Sequence, residues 1–186
     1  MKKTIITFAV LAALIIGAGF GYKLLADKYA NPPETQSENA SDGADVAKNA
    51  APDFKMTDTD GNELMLSSLH GKPIVLNFWT TWCGYCTREF PLFQELYEEY
   101  GDSVQFIMVN LTDNYREKKS DADSFIKKNG YTLPVYYDIY QQGASAYEVY
   151  SIPCTFIIDK DGNLAESHAG AIDKDTLLSL LEPLGV

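Results

Sequence analysis

The sequence predicts an α/β protein in which a mixed β-sheet is flanked by helices. Three observations carry this. The run Ile74–Val75–Leu76, continued by Phe78–Trp79, is apolar without alternation, the pattern of a strand buried on both faces. It leads within a few residues into a helix-forming segment, and a second apolar strand, Val104–Asn110, follows that helix. Strand, helix and strand in that order imply parallel pairing through a right-handed crossover. Finally, Pro153–Asp159 and Asn163–Ala169 bracket Lys160-Asp161-Gly162 and read as an antiparallel hairpin, which makes the sheet mixed.

Taken in order, the chain opens with Lys2-Lys3, an apolar run from about Thr4 to Tyr22, and Lys23. A basic start before an apolar run is an export signal. Its length approaches the roughly 20 residues that span a bilayer. Residues 1–30 are therefore expected to be an uncleaved single-pass anchor with the lysine-rich end in the cytoplasm, the alternative being a signal cleaved near Ala30 before secretion. Residues 31–50 are rich in Asn, Pro, Glu, Ser, Asp and Ala and are expected to form a disordered linker, which spans roughly 3.3 Å per residue when extended. Residues 51–186 are expected to form one folded domain outside the cytoplasm.

Within that domain, Asp53–Met56 and Glu63–Leu66 flank a turn at Asp60-Gly61 and predict an N-terminal hairpin. Ser67–His70 is expected to make a short helical turn. The helix after the central strand should run to about Tyr100, before Gly101. Residues 113–130 predict a helix ending at Gly130, Val135–Tyr137 a short strand, Ala144–Tyr150 a helix, and Asp173–Leu181 a closing amphipathic helix. No internal repeat is read from the sequence.

At 46% hydrophobic and 12% aromatic, the composition supports one ordinary core. The net charge is −11; beyond residue 30 it falls to −14, with 11 basic side chains against 25 acidic ones. Such a surface argues against binding nucleic acid or anionic lipid.

The chemistry concentrates at Cys83-Gly84-Tyr85-Cys86. Two cysteines three apart at a helix start share one side. There the unpaired backbone N–H groups and the helix dipole favour a thiolate. Half a zinc site is the competing reading of such a pair. A structural zinc needs four ligands, and the chain holds three cysteines and two histidines, His70 and His168, both far from the pair in sequence. A structural disulfide is weakened by the shortness of the loop it would close. Cys83 is the expected nucleophile and Cys86 the resolving thiol. No cofactor and no metal are expected.

The run Trp82-Cys83-Gly84-Tyr85-Cys86, followed by Thr87-Arg88-Glu89-Phe90-Pro91, resembles the active-site segment of thioredoxin-fold proteins. It is most similar to the TlpA/ResA branch of membrane-tethered thiol–disulfide oxidoreductases. A second landmark, Ile152-Pro153-Cys154-Thr155-Phe156-Ile157-Ile158-Asp159, resembles the family's cis-proline loop and the strand after it. The resemblance covers about residues 51–186. It implies a thioredoxin-like fold whose N-terminal hairpin and inserted helix–strand, at about 113–140, are the branch's additions.

From the resemblance also follow site expectations. The Ile152–Pro153 bond would be cis, against the general preference of X-Pro bonds for trans. The backbone of Ile152 would bind an extended substrate segment. Trp82, Gly84 and Tyr85 would contact substrate beside Ile152 and Pro153, although Tyr85 also reads as a plain exposed ring. Trp79 is expected in the core or lining the groove, and Arg88 as a solvated side chain. Asn77 stands where thioredoxin has a buried aspartate, which removes one proton acceptor. Glu89 matches a family glutamate and is expected either to shuttle protons or to form an exposed helix-surface salt bridge. Which group takes the Cys86 proton stays open at this point. Cys154 departs from the usual Thr or Ser and is expected to be a buried, inert thiol. Its alternatives are a disulfide partner for the pair or a third soft metal ligand.

The function expected is an extracytoplasmic protein-disulfide reductase, acting as a monomer on protein thiols and disulfides. The resemblance implies recharging by a membrane electron donor of the CcdA/DsbD type and clients such as apocytochrome c. A disulfide-forming oxidant is one alternative. Another is a thiol-based copper carrier using Cys83, Cys86 and Cys154, since soft thiolates suit Cu(I). A peroxidase finds support in the Thr80-x-x-Cys83 spacing but lacks the proline expected at position 76, which is Leu.

Overall fold

The structure, a computed structural model, describes residues 49–186. The expected anchor at 1–30 and the linker up to residue 48 lie outside the described residues. Among the described residues, no helix is long and apolar enough to cross a membrane.

Eleven elements form the domain: β1 (Lys55–Thr57), β2 (Glu63–Met65), β3 (Ile74–Trp79), α1 (Gly84–Tyr100), β4 (Gln105–Asn110), α2 (Lys119–Asn129), β5 (Val135–Tyr137), α3 (Gln142–Ala146), β6 (Cys154–Ile158), β7 (Leu164–Ala169) and α4 (Lys174–Leu181). The seven strands make one sheet in the order β2-β1-β5-β4-β3-β6-β7. β3 runs parallel to β4 and antiparallel to β6, so the sheet is mixed as expected. All six residues of β3 are buried, which the unbroken apolar run anticipated.

Side-chain alternation along β3 divides the core into two layers. Val75 and Trp79 pack with Phe90, Phe93 and Leu96 of α1 and with Leu177 and Leu181 of α4. Leu76 and Phe78 pack on the other face with Phe54, Tyr147 and Ile158. Burying each such side chain stabilises the fold by about 1.5–3 kcal/mol.

Several element boundaries differ from the sequence expectation, each for a local reason. β1 and β2 are shorter than the expected hairpin arms, and Leu66 begins a 3-10 turn, Leu66–Leu69. The helix expected from 113 begins only at Lys119, because the Asp113 carboxylate binds the N–H groups of Tyr115, Arg116 and Glu117 and holds 113–117 as a turn. That helix does end at Gly130, whose φ of 71° suits glycine. α3 begins two residues earlier than expected and ends four earlier. The Asp138 carboxylate accepts from the N–H groups of Gln142 and Ala144, and Glu148 takes a φ of 50° that stops the helix.

Asn49 and Ala50, placed in the linker from composition, are paired: Ala50 bridges to Asn163, and Leu164 donates to the Asn49 carbonyl at 2.7 Å. The two hairpin turns share a five-residue pattern. Asp58-Thr59-Asp60-Gly61-Asn62 and Asp159-Lys160-Asp161-Gly162-Asn163 close the two hairpins in the same way. In each, one oxygen of the first aspartate accepts two backbone N–H groups while the other accepts the asparagine amide.

α3 supports the segment that leads back into β6, and it does so through Gly143. A Cβ added there would lie 2.5 Å from the Phe54 ring. Gly143→Ala is expected to destabilise the domain by about 1–3 kcal/mol in urea unfolding through overpacking; wild-type stability would contradict this packing.

Candidate active site

Cys83 sits at the N-cap of α1, in extended backbone, and its Sγ accepts the Cys86 N–H at 3.1 Å. The two cysteines are joined in a disulfide, with their Cα atoms 5.3 Å apart. Cys86 is fully buried, whereas Cys83 keeps a small exposed face. The site therefore has an outer sulfur at the edge of the sheet and an inner one one turn into the helix.

The loop before β6 closes over the outer sulfur. The Ile152 carbonyl oxygen lies 3.8 Å from Cys83 Sγ, and the Ile152–Pro153 peptide is cis. Thus Cys83, Cys86, Ile152 and Pro153, separated by up to 70 positions in sequence, come together at one edge. Beside them a groove of about 210 Å³ is lined by Thr80, Trp82, Leu111, Gln141 and Ile152, among others. Trp79 belongs to the core, while Trp82 and Tyr85 are exposed at 44% and 64%. Gly84 is also exposed, on the surface between them.

Glu89 departs from one of its two expectations: it makes no exposed salt bridge. It is only 6% exposed, three residues beyond Cys86 on α1. One carboxylate oxygen accepts the Asn77 side-chain amide at 3.2 Å, and the other accepts the Ile172 N–H at 3.1 Å. Asn77 also donates to Thr155 Oγ1 at 3.1 Å. Burial raises the Glu89 pKa to about 7, against the pull of these two hydrogen bonds, which favour the charged form. The amide on β3 thus holds the acid that the helix supplies.

Cys154 is buried, and burial, with the Glu89 charge adding to it, pushes its thiol up to about 12. Its place in β6 explains why it stays apart from the pair. Thr155 pairs with Asn77 and faces α1, so Cys154, paired with Phe78, leaves the sheet on the opposite face. It packs there with Phe54, Phe78 and Tyr147. The three-thiol set needed for a copper carrier is not assembled in this structure.

Sequence reasoning missed Glu117. It is 1% exposed and accepts from Thr81 N at 2.9 Å, Thr81 Oγ1 at 2.8 Å and Asn110 Nδ2 at 2.7 Å. It ties the turn before Cys83 to the end of β4. Nothing local in the sequence marks it, since its partner Thr81 is 36 residues away. Arg88 is exposed, as expected, and its guanidinium lies over the Tyr85 ring, while that of Arg116 lies over Trp82.

Comparison with known proteins follows the same outline. The sequence pattern of the AhpC/TSA family matches residues 47–167. A thiol–disulfide oxidoreductase ResA of Geobacillus thermodenitrificans is 33% identical over 185 residues, covering 99% of this chain and 95% of that protein. Among solved structures, StoA of Bacillus subtilis aligns with a TM-score of 0.60 at 29% identity, covering 70% of this chain and 98% of its own. The exposed lipoprotein thioredoxin Etrx1 of Streptococcus pneumoniae aligns with a TM-score of 0.63 at 33% identity, covering 71% and 99%. The fold is thioredoxin-like.

Because the Glu89 pKa is higher in the folded protein than in the unfolded chain, its favourable contribution is complete below about pH 4.5 and is lost as pH rises through 7. Across that window the protein should lose up to about 3 kcal/mol of stability from this group. Glu89→Gln, which can still accept from the Ile172 N–H, is expected to remove this slope in urea unfolding followed against pH. An unchanged slope would contradict the assignment.

Proposed function

The chain belongs to the AhpC/TSA family and, with the ResA proteins, to the thiol–disulfide oxidoreductases; from that premise we propose that it is a protein-disulfide reductase working outside the cytoplasm. The observation that carries the proposal is the Cys83–Cys86 pair at the N-terminus of α1, with its outer sulfur against the Ile152 carbonyl.

In the reduced protein, the Cys83 thiolate attacks one sulfur of a substrate disulfide. A mixed disulfide forms and the other substrate sulfur leaves as a thiolate, which takes up a proton. Cys86 then loses its proton and attacks Cys83 Sγ, forming the Cys83–Cys86 disulfide and releasing the second substrate thiol. Two electrons and two protons pass from the protein dithiol to the substrate.

Each residue has a role in this proposal. The helix N-terminus and the Cys86 N–H stabilise the Cys83 thiolate. Glu89, with a pKa of about 7 and one helical turn from Cys86, is suited to accept the Cys86 proton near neutral pH. Ile152 offers its backbone to the extended substrate segment, with Pro153 shaping the loop. Trp82, Gly84 and Tyr85 form the outer contact surface. The reductive direction is carried by the resemblance of the Cys83–Cys86 segment to the TlpA/ResA branch, and the balance between the dithiol and disulfide states sets it.

The extracytoplasmic placement rests on Lys2-Lys3 and the apolar run after it. Reducing power would come from a membrane dithiol donor of the CcdA/DsbD type, and the clients would be oxidised apocytochrome c or other exported proteins.

Trapping tests the division of labour. Cys86→Ser is expected to accumulate a mixed disulfide with an oxidised protein substrate through Cys83, and Cys83→Ser to form none. With both cysteines present, Glu89→Gln should slow resolution of the mixed disulfide tenfold or more at pH 7. A Cys83→Ser protein that still forms the adduct would overturn the reading.

A further inference from the structure

The chain contains two arginines, Arg88 and Arg116, against 26 acidic residues, and both stand beside Cys83. The Arg116 guanidinium lies 3.5 Å from the centroid of the Trp82 ring, and the Arg88 guanidinium 4.5 Å from that of Tyr85. Arg88 also covers Gly84, where an added Cβ would meet its Nη1 at 3.8 Å. Trp82 and Tyr85 are the exposed rings on either side of Cys83, so the outer sulfur is framed by two cation–aromatic stacks.

Among the described residues neither guanidinium is paired with a carboxylate, and every ion pair within 4.0 Å involves a lysine. The nearby carboxylates are turned elsewhere: Glu117 binds Thr81 and Asn110, and Asp113 caps the N–H groups of Tyr115, Arg116 and Glu117. A guanidinium held over a ring face by its carbon still has N–H donors to offer, in the fork that fits a carboxylate. In so acidic a chain, two unpaired arginines held on aromatic faces at one edge mark a local site of opposite charge.

Taking the Cys83–Cys86 exchange reading as given, we propose that Arg88 and Arg116 form a docking surface for an acidic polypeptide, a client whose reactive disulfide is flanked by Asp or Glu. The negative surface elsewhere does not cancel this, because charges beyond about 8–10 Å are screened at physiological salt. The pair acts at contact and selects among clients.

The test uses the intact protein, reduced beforehand, and three peptide disulfides identical except for Glu, Gln or Lys on either side of the cysteines. Reduction of 2-hydroxyethyl disulfide reports the exchange chemistry independently. The Glu peptide is expected to exceed the Gln peptide in kcat/KM by about threefold to tenfold at low salt, and the Lys peptide to fall below both. In the R88Q/R116Q protein, and in wild type at high salt, the Glu-to-Gln ratio should approach one. R88K/R116K should retain part of it. Equal rates for the three peptides with wild type would overturn the proposal. So would a double variant that slows all three equally while its reduction potential shifts, since the arginines would then act on the Cys83 thiolate. Failure of wild type to reduce 2-hydroxyethyl disulfide would instead overturn the exchange reading, and this proposal with it.

Discussion

A strand buried along its whole length leaves the chain few places to do chemistry. Ile74–Trp79 lies between β4 and β6, with α1 and α4 covering one face and the Phe54 and Tyr147 rings packed on the other. Its backbone is satisfied on both edges and its side chains are sealed on both faces. The first residues that can meet solvent are those just past its carboxyl end. There the chain turns through Thr81 and Trp82, fastened by Glu117, and Cys83 caps the helix that follows. The antiparallel pairing of β6 with the same strand brings Ile152 and Pro153 to the same edge. The position of the dithiol thus follows from the burial of β3.

The same strand also holds the buried acid in place. A carboxylate in the core is costly, and Glu89 is accommodated because Asn77 of β3 and the Ile172 N–H, just before α4, each donate to it. These hydrogen bonds partly offset desolvation and leave the acid near neutrality, with a pKa of about 7. Replacing an acid on the strand by an amide therefore does not empty the site of acid–base capacity. The acid reaches the same neighbourhood from the helix.

Much of this was legible in the sequence where the signal is local. The apolar run of β3, the cysteines three apart after it and the Asp-Gly turns of both hairpins each sit within a few residues, and each was read correctly. The cis Ile152–Pro153 bond was reached only through resemblance, because a lone X-Pro step carries no such information. What escaped depends on distant partners. The burial of Glu89 needs Asn77 and Ile172, 12 and 83 residues away, although its i+3 spacing from Cys86 was a usable hint. Glu117 needs Thr81. The late start of α2 and the early start of α3 come from single side chains, Asp113 and Asp138, that compete for backbone N–H groups and are silent in a periodicity count. Cys154 was expected as a buried, inert thiol and is buried, but the face it takes, away from the pair, is set by strand alternation in β6 and could not be read from its adjacency to Pro153.

The central claim is that the Cys83–Cys86 dithiol is a reductant. It is tested most directly by its equilibrium reduction potential, titrated against dithiothreitol and glutathione buffers at pH 7. The account predicts a value near or below that of thioredoxin, about −270 mV. A potential near −120 mV, about that of the periplasmic oxidant DsbA, would contradict it and make the protein a donor of disulfides.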